Sequence, residues 1–167
     1  HNVAHSFPTR RSSDLVDGQT RGEVEAETFC ADSMTIVFQG KNIHPGYAKA
    51  KMINSMKIAA HFLESLPKDR LSPETTEGRE GFVHCVAING NEEQTTLKFI
   101  IRDFEVEKLK EYEDFLTELA NNSIKAFPGS KVVVKVNEQY RNMKYILKDH
   151  PHVSDYALEA MKRLDIT

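Results

Sequence analysis

Apolar positions recur along the chain with two periods, and the switches between them divide it into elements. Residues 33–38 alternate, with Met34, Ile36 and Phe38 on one side, which predicts a half-buried strand. A weaker alternation precedes it over 22–29, through Val24, Ala26 and Thr28. Gly40-Lys41-Asn42-Ile43-His44-Pro45-Gly46 follows as a loop, its proline placed where the first turn of a helix tolerates one. Over 47–66, Met52, Met56, Ala59, Ala60, Leu63 and Leu66 recur at three- and four-residue intervals, so the spacing predicts a helix that stops at Pro67. Residues 68–80 form a polar loop of a length that is usually functional or mobile in compact domains.

Residues 82–88 are apolar on both faces and predict a central strand, and Asn89-Gly90-Asn91 marks a tight hairpin. Alternation returns over 95–104, with Leu97, Phe99 and Ile101 on one face. A second amphipathic helix spans 105–127 through Leu109, Tyr112, Leu116, Leu119 and Ala120. Glu105 and Glu107 in its first turn complement the helix dipole, and Pro128-Gly129 ends it. Residues 131–136 read as a fourth strand, and 153–164 as a last helix through Val153, Ala157, Ala160 and Leu164. From 33 to 136 the order is β-α-β-β-α-β. This predicts an α+β, ferredoxin-like domain: a four-stranded antiparallel sheet with two helices on one face. The Met52/Leu63 and Leu109/Leu119 faces should pack on Met34, Leu97 and Val134. Such a fold names no activity by itself.

Composition narrows the field. The chain has 167 residues, 40% hydrophobic and 28% charged, which suits one ordinary core. No apolar run approaches the ~20 residues that span a bilayer, so no membrane partner is expected. A net charge of −3 offers no global attraction to nucleic acid. Phe82 and Phe99 are the only central-strand aromatics, too few for an RNA-reading sheet. Cys30 and Cys85 are too few for a disulfide framework, lack metal-site spacing and suit a reducing cytoplasm. Cys85, on an apolar strand, reads as a buried small hydrophobe.

Residues 1–15 form a separate case. His5-Ser6-Phe7-Pro8-Thr9-Arg10-Arg11-Ser12-Ser13-Asp14-Leu15 is what translation of a common short-read sequencing adapter produces. The plainer alternative is a basic tail with a phosphorylatable serine pair. On the adapter reading the native sequence begins at Val16, inside a longer protein.

Four motifs then stand in order: Val16-Asp17-Gly18, Asn42-Ile43-His44-Pro45-Gly46, Pro73-Glu74-Thr75-Thr76-Glu77-Gly78-Arg79-Glu80-Gly81-Phe82, and Ile100-Ile101-Arg102-Asp103-Phe104. With their spacing, from 16 to 167, they resemble the peptidase T family, tripeptide aminopeptidases among the two-zinc exopeptidases. The resemblance implies a lid or dimerisation domain over 33–140, inserted in a catalytic domain of which 16–32 and 141–167 are stubs. It implies two zinc ions per active site, a short peptide substrate and a possible homodimer through the lid. Asp17 would ligate zinc, an anionic oxygen suited to that metal; a plain Asp-Gly turn is the bland alternative. His44 would stabilise the oxyanion as water attacks the peptide carbonyl, where an exposed loop histidine is the alternative.

Arg102 would bind the substrate's C-terminal carboxylate, which its planar fork fits; the alternative is an Arg–Asp surface pair on an edge strand. Asn142, in Tyr140-Arg141-Asn142-Met143, falls with the substrate residues but has no assignable role, and an ordinary turn residue is as good a reading. His150-Pro151-His152 reads as a capping turn more readily than as a metal site. His61 and His84 read as structural.

The departures matter equally. The family's His-x-Asp pair, Glu-Glu pair and late histidine are missing; Glu92-Glu93 is adjacent but sits in the hairpin and reads as solvated. The polypeptide itself is therefore expected to bind zinc poorly and to be inactive. A stand-alone ferredoxin-like dimerisation or binding module without catalytic activity is the competing reading.

Overall fold

The structure, a computed structural model, describes residues 22–166. Thr28–Asn142 forms one compact unit, and the described flanks, 22–27 and 143–166, group into a second. The large unit is built on β1 (Cys30–Gln39), a strand buried at every second position from Asp32 to Phe38. It pairs antiparallel with β3 (Gln94–Asp103) on one side and β4 (Lys131–Tyr140) on the other. β2 (Phe82–Gly90) pairs antiparallel with β3, so the sheet order is β2-β3-β1-β4. Two helices, α1 (Ser55–Glu64) and α2 (Val106–Lys125), pack against the central strands. This is the expected four-stranded α+β arrangement.

The core follows from alternation. Met34, Ile36 and Phe38 of β1 and Leu97, Phe99 and Ile101 of β3 point to the same face and are at most 1% exposed. Ile58, Ala59 and Phe62 of α1 cover one half, and Leu109, Leu116 and Ala120 of α2 cover the other. Phe62 bridges the layers, its ring 5.5 Å from Phe38 and edge-on to Phe99 at 5.9 Å. Side chains of this kind contribute about 1.5–3 kcal/mol each on burial.

The structure corrects several expectations. The helix expected over 47–66 starts only at Ser55. Before it come a single 3-10 turn, Pro45–Tyr47, and a backbone bridge between Lys41 and Ile53. Ala50 at φ 60° breaks any continuous helix, and Asn54 caps α1 by accepting from Met56 N at 2.9 Å. The buried stripe is accordingly Ser55, Ile58, Ala59 and Phe62, while Met56 and Ala60 face outward.

The strand expected to be central, β2, is an edge. Its apolar second half is open to solvent, with Val86 and Ile88 about half exposed. Cys85 is half-buried there, and burial pushes its thiol up from the ordinary value; the fully buried cysteine is Cys30. The weak alternation over 22–29 forms no strand, and β4 continues to Tyr140, beyond the expected 136. In the second unit a short helix, α3 (Lys144–Leu147), precedes α4 (His152–Arg163). No described helix is long and apolar enough to cross a membrane.

Candidate functional site

His44 stands at the tip of the loop that follows β1. The loop is closed at its base by reciprocal backbone bonds, Lys41 N to Ile53 O at 2.7 Å and Ile53 N to Lys41 O at 3.0 Å. The β2–β3 hairpin adds two more, since Gly40 N donates to Glu93 O at 2.7 Å and Ser55 N to Glu92 O at 2.9 Å. A Cβ on Gly40 would lie 2.1 Å from Ile53 O, so only glycine fits this crossing. Beneath it the Ser55 hydroxyl donates to Asn91 O at 2.6 Å and lies 2.7 Å from the Thr95 hydroxyl.

Glu92 and Glu93, read from sequence as solvated side chains, thus act through their carbonyls. At the tip, His44 caps the 3-10 turn: its Nδ1 accepts from Gly46 N at 3.1 Å, and its ring is exposed, 5.6 Å from that of Tyr47. With Nδ1 accepting, the hydrogen of the neutral ring sits on Nε2, which is left as an outward donor.

Arg102 occupies the opposite end of the sheet. On β3 it pairs with Ala31 of β1 and Phe82 of β2, so it lies on a central strand and not on an edge. Its Nη1 donates to Gln139 Oε1 at 3.0 Å, and the guanidinium lies over the Tyr140 ring at 5.2 Å. Among the described residues no carboxylate lies within ion-pair distance of it. Neighbouring Asp103 is engaged elsewhere, accepting from Tyr112 Oη at 2.8 Å and from Glu105 N at 2.9 Å. Burial, reinforced by that carboxylate, pushes the Tyr112 hydroxyl well above its ordinary range, so it remains the donor.

Gly81 ends the long loop against this spot: a Cβ there would lie 2.0 Å from Asp103 Oδ2 and 2.7 Å from Arg102 O. That contact is a physical reason for the two motifs around Gly81 and Arg102 to occur together. Arg79 of the same loop sits 4.5 Å over the Phe104 ring and 3.6 Å from Glu105.

Asn142 lies at the same end, 1% exposed. Its Oδ1 accepts from Thr28 N at 3.0 Å, its Nδ2 donates to Phe104 O at 3.1 Å, and its backbone N donates to Cys30 Sγ at 3.3 Å. Asn142 thus ties together the segment entering β1, the chain leaving β4 and the residue that follows β3. Of the two residues expected at the substrate, it is the one without exposed surface.

Asp17 lies outside the described residues. Among those described, no three His, Cys, Asp or Glu side chains are grouped to hold a metal ion. A zinc site therefore does not fit the described residues. In the second unit His150 and His152 flank Pro151, the N-cap of α4, with their rings 5.8 Å apart. Sequence reasoning missed Gly40, Ser55, Thr95 and Gly81. The Gly-x-x-x-His-Pro-Gly spacing hinted at the first of these, and the motif ending in Gly81-Phe82 at the last.

Comparisons with known proteins bear on the family and the fold. Residues 27–128 match a family described as a peptidase dimerisation domain. A peptidase T of Geobacillus sp. (strain WCH70) is 44% identical over 151 residues, covering 90% of this chain and 37% of the relative. One from Latilactobacillus sakei is 38% identical over 166 residues, covering 99% and 40%. The chain thus spans well under half the length of the curated relatives it matches. A solved tripeptidase from Staphylococcus aureus superposes with a TM-score of 0.73 at 17% identity, covering 94% of this chain and 43% of that one. An aminopeptidase PepT from Bacillus cereus does so at 0.66 and 20% identity, covering 78% and 35%. At these identities the structural likeness speaks for the fold alone.

Proposed function

Because the chain belongs to the peptidase dimerisation domain family, we propose that it is the lid part of a zinc-dependent tripeptide aminopeptidase. That enzyme releases the N-terminal residue of short peptides. Identity of 38–44% to peptidase T proteins over nearly the whole chain is the observation that carries the proposal. In this reading 33–140 is the lid, 16–32 and 141–167 are pieces of the catalytic domain, and 1–15 is not native. Asp17 ligates one of two zinc ions in the complete enzyme. The remaining ligands and the general base belong to residues this polypeptide lacks, so it is inactive alone. Two free thiols are in keeping with a cytoplasmic enzyme.

His44 donates from Nε2 to the oxyanion, and Arg102 takes the substrate's carboxylate; Asn142 serves by holding the Arg102 end. Their separation sets a condition. Arg102 is opposite Ala31, whereas His44 lies beyond Gln39, at the other end of β1. Eight strand residues at about 3.3 Å each put about 26 Å between those ends. A tripeptide from its first carbonyl to its carboxylate spans about 7 Å. One domain cannot bring both residues to one such substrate, so His44 acts on the site of a second subunit. The half-exposed Val86 and Ile88 on the β2 edge, with outward-facing Met56 on α1, supply apolar surface for a homodimer.

Complementation tests this reading. In the full-length enzyme, His44→Ala and Arg102→Ala should each abolish tripeptide hydrolysis, and mixing the two should restore activity through heterodimers. Failure of the mixture, with dimers present, would refute action across subunits. The chain itself, with zinc or cobalt added, should release no N-terminal residues. Metal-dependent release would refute its inactivity.

A further inference from the structure

Arg102 projects from the face of the sheet that the helices leave open, since its neighbours Ile101 and Asp103 belong to the buried row of β3. On that face Arg102 of β3, Ala31 of β1 and Tyr140 of β4 stand in one register row. Ala31 carries only a methyl group and is fully buried, so the long arginine side chain crosses it toward β4. There β4 is irregular. Asp32 pairs with Glu138 and Ala31 with Tyr140, which leaves Gln139 as the extra residue of a β-bulge. Consecutive side chains of a regular strand point to opposite faces, whereas a bulge re-aims one of them. Two consecutive residues therefore reach the same guanidinium: Gln139 Oε1 accepts from Arg102 Nη1 at 3.0 Å, and the guanidinium lies over the Tyr140 ring at 5.2 Å.

Both partners are neutral. The acids nearby in sequence are taken elsewhere: Glu138 by Arg141 at 2.8 Å, and Asp103 by Tyr112 and the backbone of Glu105. A carboxylate in place of the Gln139 amide would occupy the fork of Arg102 and offset its charge. An amide oxygen and a ring face hold the cation without neutralising it. We propose that Gln139 and Tyr140 are positioning residues, which the bulge of β4 uses to aim Arg102 while leaving its charge for an incoming carboxylate. This inference rests on the reading of Arg102 as the residue that takes the substrate's C-terminal carboxylate, and it adds what makes that residue selective for a free acid. An arginine aimed in advance loses less freedom when the carboxylate arrives, so the gain appears in binding of the acid.

The test uses the full-length enzyme with a tripeptide as substrate and the same tripeptide, amidated at its C-terminus, as a competing inhibitor. Gln139 is exposed, so Gln139→Glu and Gln139→Leu should both fold. Gln139→Glu sets a carboxylate against Arg102 and should raise KM for the tripeptide about tenfold. Its kcat, and inhibition by the amide, should stay within about twofold of wild type. Gln139→Leu and Tyr140→Leu, which remove one contact each, should raise KM about threefold. A merely structural role would lower kcat, or weaken acid and amide alike, and either result overturns the proposal. An unchanged KM in Gln139→Glu, with hydrolysis abolished by Arg102→Ala, overturns the positioning role and leaves the reading of Arg102 standing. Full activity in Arg102→Ala overturns both.

Discussion

The two ends of the sheet are built on opposite plans. Where the chain enters and leaves the large unit, buried polar side chains do the joining. Asn142, and Asp32 with Arg141, bond across segments distant in sequence, and Asp103 with Tyr112 ties the end of β3 to α2. At the other end, the loop bearing His44 is tied almost wholly by backbone to the β2–β3 hairpin, and its side chains are left outward. Side-chain networks fix one geometry, because any missing partner strands a buried polar group. A backbone-tied loop tolerates exchange of its tip residues, so it can present a reactive side chain without the fold depending on it. The first end holds, and the second presents.

The sharpest way to break this contrast is Asn142→Ala. It leaves Thr28 N and Phe104 O without the side chain that joins them at a 1% exposed position. Phe104 O keeps the Cys30 Sγ donor at 3.7 Å, so the loss is mainly that of stranding Thr28 N, and about 2 kcal/mol is expected by denaturant unfolding. A loss below about 1 kcal/mol would mean that this end is not held as described.

The sequence makes the contrast legible only in part. β1 and β3 were readable because each has one buried face, so alternation reports them directly. β2 was not: an apolar run on both faces looks the same in a buried strand and in an edge whose Val86 and Ile88 meet solvent. The start of α1 was hidden because three- and four-residue spacing continues upstream of Asn54, where a backbone bridge wins over helix propensity. Arg102 and His44 were found through motifs, but their placement at opposite ends follows from pairing register, which no motif carries. Asn142 reads as a turn residue because its partners lie up to 114 residues away. Glu92 and Glu93 mislead for a different reason, since charged side chains advertise solvation while the carbonyls do the bonding.

At the presenting end the expected effects are no larger, and they are local. Gly40→Ala forces a methyl against Ile53 O, and shifting that backbone should cost about 2 kcal/mol. Amide exchange should speed up across 41–53 while the core of β3 stays protected; a uniform change would show that the loop is not a separate module. Ser55→Ala removes a hydroxyl bonded to Asn91 O and in contact with Thr95, with an expected cost of about 1 kcal/mol. Thermal unfolding should resolve this as a drop of about 3 °C.

The smallest effect is the most discriminating. His44 is exposed, and its Nδ1 accepts a local hydrogen bond from Gly46 N two residues on. His44→Ala should therefore change folding stability by less than about 0.5 kcal/mol, the range of ordinary surface substitutions. In the full-length enzyme the same change should abolish hydrolysis while leaving the dimer intact. A side chain that matters to activity and not to folding is what a presenting end requires. If His44→Ala instead destabilises the chain as Ser55→Ala does, the imidazole is part of the loop's architecture. The oxyanion role would then need another donor.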